Sequence, residues 1–107
     1  MDLNKAQLER LAILAEECAE VQQVIGKILR HGFESYSPKD PTKETNKARL
    51  ASELGDIMVA MNMLIKKEEV DIPIMLAQIE SKSVVINKHL HHNKVDFSDN
   101  KFGILNN

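Results

Sequence analysis

The chain has 107 residues, of which 43% are hydrophobic, 28% charged and 4% aromatic, with a formal net charge of −2. That length suits one domain with a thin core, which favours an oligomer that shares a core, and the charge leaves no broad basic surface to track a nucleic acid polymer. Cys18 is the single cysteine and excludes an internal disulfide; the first residues carry no signal-peptide pattern, and no apolar run is long enough for a bilayer, so the expectation is a cytoplasmic protein without a membrane partner. In chain order, Asn4 predicts the cap of a first helix from about Lys5 to about His31, and Gly32 its stop. Gly32 to Thr45, rich in Gly, Ser, Pro and Asp, reads as a loop long enough to be functional or mobile. Thr45 or Asn46 opens a second helix reaching about Lys67. Asp71 caps a third, with Pro73 in its first turn, running to about His92. Residues 93–107 read as an irregular tail, with Phe97, Phe102, Ile104 and Leu105 as its apolar anchors to the body or to a neighbouring copy.

The informative feature is an internal echo. Leu14-Ala15-Glu16-Glu17-Cys18-Ala19-Glu20-Val21 overlays Leu50-Ala51-Ser52-Glu53-Leu54-Gly55-Asp56-Ile57 at a constant offset of 36 positions. Ile25, Ile28 and Leu29 continue in register with Met61, Leu64 and Ile65. Residues on a helix are about 100° apart, so acids at i and i+3 stand on neighbouring faces. Leu11, Leu14, Cys18, Val21, Ile25 and Ile28 mark the expected buried stripe of the first helix, with Glu17 inside it and Glu20 at its edge beside Ile13 and Val24. Glu53 and Asp56 hold the equivalent angles against Leu50, Leu54, Ile57, Met61 and Leu64. If the helices pack through these stripes, four carboxylates converge at a border of the core.

A lone E-E-x-x-E on a helix is ordinarily a solvated face with basic neighbours. A second acid pair inside an apolar arc of a second helix has no such account. Clustered carboxylates repel, and partial burial disfavours each charge, so a hard divalent cation is the natural partner. An all-oxygen donor set without His or Cys points to magnesium, manganese or calcium and away from zinc.

Glu16-Glu17-x-x-Glu20, followed by Glu53-x-x-Asp56, resembles the paired acid signature of the all-α nucleoside triphosphate pyrophosphohydrolases, and within them the short MazG-like branch often found in phages and bacteria. Ile28-Leu29-Arg30-His31-Gly32 resembles the family's end to the first helix, with His31 in place of a Phe, and Asn46-x-x-x-Leu50-x-x-Glu53-Leu54-Gly55-Asp56 resembles its second helix. The resemblance covers about Leu8 to Leu90. It implies an all-α, antiparallel bundle of three main helices per chain over residues 1–92, completed by association into a homodimer or homotetramer. It implies magnesium, replaceable by manganese, held by Glu17, Glu20, Glu53 and Asp56, with Glu16 either supporting those ligands from behind or acting as the base that orients the attacking water, and Lys82 neutralising phosphate charge. The implied reaction splits a nucleoside triphosphate at the α–β linkage into monophosphate and pyrophosphate. Arg30 and Lys27 are further phosphate-binding expectations, and Asn46 and Asn87, with Phe33 and Tyr36, are expectations for the nucleoside.

Three competing readings make different demands on the sequence. A carboxylate-bridged di-iron bundle needs Glu-x-x-His pairs, and none is present. A non-catalytic helical adaptor treats the acids as surface and predicts no strong metal binding. A phosphoribosyl-ATP pyrophosphohydrolase fits the long loop and the Arg30–Gly32 segment less well. His89, His91 and His92 read as structural, because consecutive histidines point in different directions and cations suit a helix C-terminus. Gly55 within a helix costs about 1 kcal/mol relative to Ala, which close helix approach or access for a phosphate would justify.

Overall fold

A computed structural model describes residues 2–98, and among these the regular structure is entirely helical. The helices are α1 (Lys5–His31), α2 (Asn46–Lys66) and α3 (Ile72–Val85), followed by a short 3-10 turn, Ile86–His89. None of them is long and apolar enough to cross a membrane. The chain divides between Lys67 and Glu68 into two compact units, which are taken in turn.

The first unit is a hairpin of α1 and α2. Local hydrogen bonds set its helix limits. The Asn4 carboxamide accepts from Gln7 N–H at 2.8 Å while the Gln7 side chain accepts from Asn4 N–H at 2.9 Å, a reciprocal cap. Gly32 ends α1 with φ 91° and ψ 167°, a conformation open to glycine alone, and its N–H donates to Ile28 O at 2.7 Å. The Thr45 hydroxyl accepts from Ala48 N–H to start α2. The connecting loop is held from both sides. Asp40 accepts from Thr42 N–H (2.9 Å), Thr42 Oγ1 (2.7 Å) and Glu44 N–H (3.3 Å). Asn46 is buried, and its Nδ2 donates to Gly32 O at 3.0 Å while its backbone N–H donates to Ser35 O at 2.8 Å. The start of α2 is thereby fastened to the end of α1, and the two helices run antiparallel.

Their contact follows a heptad seam. On α1 it passes through Arg10, Leu14, Glu17, Val21, Val24 and Ile28, with spacings that alternate between four and three. On α2 it passes through Asn46, Leu50, Glu53, Ile57, Ala60 and Leu64, each 36 positions after its α1 equivalent. All twelve are buried or half-buried. A 4-3 repeat keeps one edge of each helix facing its partner over several turns. This seam lies to one side of the expected stripe. Leu11, Cys18 and Ile25 are exposed on α1, as are Leu54 and Met61 on α2, because an antiparallel partner selects a narrow a/d edge rather than the broad apolar arc. Val24, placed at the border by sequence, is in the middle of the contact at 3% exposure, opposite a helix bearing Ala60 at 1%. Among the described residues the buried apolar set is Val21, Val24, Ala60 and Leu64. Since burying a Val or Leu stabilises by about 1.5–3 kcal/mol, the hairpin core is thin. Gly55 is not explained by close packing, since a Cβ built there meets nothing within 4 Å.

The second unit is built on α3. Asp71 caps it by accepting from Ile74 N–H at 3.1 Å, with Pro73 in the first turn. No α3 residue is buried. The helix stops at Val85 rather than continuing to His92. Val84, Val85 and Ile86 are β-branched and stiff in a helix, and Asn87 draws the chain back. Its Nδ2 donates to Val95 O at 2.7 Å and its Oδ1 accepts from Val95 N–H at 2.8 Å, while Lys94 Nζ donates to Asn87 O at 2.6 Å. An open apolar trough of about 720 Å³ runs along α3, walled by Ile74, Ile79, Ile86 and Phe97. Phe97 thus docks on its own unit; Phe102, Ile104 and Leu105 lie outside the described residues.

Candidate metal centre

Duplicating an acid-bearing seam on two antiparallel helices brings the two copies together. Glu17 and Glu53 are themselves seam residues, and Glu20 and Asp56 stand three positions on, at its border. One carboxylate oxygen from each of the four lies within 4.8 Å of all the others. Glu17, Glu20 and Glu53 are half-buried and Asp56 is exposed, so the cluster is rooted in the seam and opens to solvent on the Asp56 side. Two helices related by a 36-residue repeat and packed antiparallel make an approximately twofold arrangement, with Glu17 matched to Glu53 and Glu20 to Asp56.

The electrostatics of this cluster are unfavourable as they stand. Oε2 of Glu17 and Oε2 of Glu53 are both buried with no hydrogen-bond partner among the described residues. Buried acceptors are almost always satisfied in folded proteins, so two orphaned oxygens in one site call for a partner. Burial pushes the Glu17 carboxyl above its usual value of 4.5, and the charges of Glu20, Asp56 and Glu16 push it the same way. Burial likewise raises Glu53, followed by a hydrogen bond with the Glu20 carboxyl and the charges of Glu20, Asp56 and Glu17. Every contribution at both residues opposes a bare negative charge. A hard divalent cation reverses each of them: it supplies positive charge, fills the orphaned lone pairs and is matched to oxygen-only donors. The residues present therefore fit magnesium or manganese. Glu16 is exposed, on the residue before Glu17, close enough for its charge to be felt there.

A second feature occupies the loop end of the same hairpin. A partly enclosed cup of about 440 Å³ gathers Lys27, Arg30 and His31 from α1, Ser35 to Pro38 from the loop, and Asn46 and Arg49 from α2. Lys27, Arg30, Asn46 and Tyr36, named from sequence, are thus brought together. Phe33 is not in the cup; it is 54% exposed and its carbonyl accepts from Lys47 N–H. Asn46 has its Nδ2 committed to Gly32 O, which makes it first a fastener of the loop. Arg49 was missed by sequence reasoning. Its signal was its position one helical turn before Glu53, on the same face of α2.

Lys82 and Asn87 belong to the second unit. Lys82 is exposed beside the α3 trough. Both amide groups of Asn87 are engaged by Val95, so it anchors the chain after α3 instead of presenting a free carboxamide to a ligand. Comparison with protein-family models, with curated proteins and with solved structures returns no match.

Proposed function

We propose that this chain is a magnesium-dependent nucleoside triphosphate pyrophosphohydrolase of the MazG-like kind, with Glu17, Glu20, Glu53 and Asp56 as its cation ligands. The convergence of these four carboxylates within 4.8 Å, two of them with orphaned buried oxygens, carries the reading. The acid signature that resembles the family uses the same four residues, from two helices and not one. An adaptor surface supplies no reason to hold two unsatisfied carboxylates inside a helix seam.

Magnesium or manganese bound there would neutralise phosphate charge and acidify water. The protein's own groups do the rest. The cluster is exposed at Asp56, and a phosphoanhydride can approach it from that side. Glu16, exposed beside that opening, accepts the proton of a water as the water oxygen bonds to the α-phosphorus. The α–β bridging oxygen departs with the pyrophosphate, and the proton passes from Glu16 to solvent. Lys27 and Arg30, and by the family resemblance Lys82, offset the charge of the phosphates, since phosphoryl transfer depends mostly on positioning and charge stabilisation. Asn46 and Asn87 have no part in this reading beyond holding the backbone.

Assembly into a homodimer or homotetramer belongs to the same proposal. The thin hairpin core, the absence of any buried residue on α3, and the exposure of Leu29 (82%) and Val84 (71%) support it. Product analysis over ribo- and deoxyribonucleoside triphosphates, with and without magnesium, tests the activity. Magnesium-dependent monophosphate and pyrophosphate, lost in Glu53→Gln, is the expected result. A folded protein with neither turnover nor cation binding would leave the helical adaptor.

A further inference from the structure

The cup at the loop end of the hairpin has an unusual charge arrangement. Lys27, Arg30, Arg49 and the His31 imidazole line it, and no carboxylate is among its described lining residues. Among the described residues, no carboxylate stands within ion-pair distance of these three cations. Asp40 is felt by Arg49, but its oxygens are already engaged by Thr42 and Glu44. Helix electrostatics account for only part of the set. Arg30 and His31 suit the negative end of α1. Arg49 sits in the first turn of α2, at the positive end of that helix, where a cation is disfavoured. Three cations line one concavity together with Ser35, Tyr36 and Ser37, with only the Asp40 charge felt at Arg49, an arrangement suited to a multiply charged oxyanion, which the forked guanidinium groups match in geometry.

Its position says which oxyanion. Arg49 precedes Glu53 by one turn, about 6 Å along α2, and Lys27 follows Glu20 by two turns, about 10 Å along α1. The cup therefore lies beyond the acids, toward the loop, with Arg49 its nearest cation to them along the helices. We propose that it receives the two terminal phosphates of the substrate, so that the scissile anhydride lies at the acids and the nucleoside points away from the loop. This rests on the phosphoanhydride reading above and extends it to the placement of the substrate: Arg49, Arg30 and Lys27 hold the two-phosphate leaving group.

The test is calorimetric titration of pyrophosphate into the full-length protein in excess chelator, where neither cation nor turnover contributes. Wild type is expected to bind, and Arg30→Gln/Arg49→Gln to bind at least roughly tenfold more weakly, as suits the loss of charge-assisted contacts. Lys27→Gln, a change at an exposed side chain, is expected to weaken binding by a smaller factor and guards against a folding artefact. Glu53→Gln is expected to bind as tightly as wild type or more so. In turnover, the double variant should raise KM for a triphosphate more than for the matching diphosphate. No binding by wild type, binding unchanged in the double variant, or an RNA oligomer binding more tightly than pyrophosphate would overturn the proposal. Arginine-dependent pyrophosphate binding in a protein without magnesium-dependent hydrolysis would count against the hydrolase reading and leave the anion site standing.

Discussion

Magnesium titration of the metal-free protein, followed by thermal unfolding, separates a cation site from an ordinary acidic surface. The four donors come from helices whose acids stand 36 positions apart, so the unfolded chain has no assembled site and a cation acts on the folded state alone. At about a hundred times its dissociation constant it adds about 2.7 kcal/mol. For a domain of this size each kcal/mol moves the midpoint by roughly 4–8 °C, so wild type should gain roughly 10–20 °C. Glu53→Gln, which removes one donor, should lose most of that gain. Without metal the sign reverses. Glu17 and Glu53 have carboxyls raised above 4.5 in the fold. A raised carboxyl contributes stability that is present below its unfolded value and is lost as pH rises through the folded one. At neutral pH the metal-free wild type has already lost it, whereas glutamine has no charge to acquire. Metal-free Glu53→Gln should therefore unfold at a higher temperature than metal-free wild type near neutral pH, with the gap closing as pH falls toward the ordinary carboxylate range. The same magnesium response in both proteins, or a metal-free variant less stable than wild type at neutral pH, would refute the reasoning.

Three further outcomes follow from the packing. Leu64→Ala, at a seam position 6% exposed, should cost about 2–5 kcal/mol and lower the urea midpoint without changing the slope. Asn46→Ala removes the Nδ2 bond to Gly32 O and should cost about 0.5–1.5 kcal/mol for that bond; pyrophosphate binding measured on the same sample should weaken with it, since the loop wall of the cup is fastened there. Asn87→Ala frees the Val95 N–H, so hydrogen exchange at Val95 should accelerate while exchange in the middle of α1 stays unchanged.

The limits of α1 and α2 were readable in the sequence because caps are local: Asn4 with Gln7, Gly32 at a positive φ, and Thr45 with Ala48 involve residues three or four apart. The paired acids were readable for a related reason, since a 36-residue echo is a property of the string itself. The C-terminal end of α3 was not readable, because it depends on Asn87 meeting Val95, eight residues on, after the chain has turned. Nor was the buried edge. Apolar residues on α1 fill a broad arc, and only an antiparallel partner decides that Val24 is covered while Cys18 and Ile25 stay exposed. The cup needed the tertiary structure most of all. Lys27 and Arg30 are phosphate-binding expectations in the sequence and Arg49 is not singled out there, and the three become one site only when the hairpin closes and sets the end of one helix beside the start of the other.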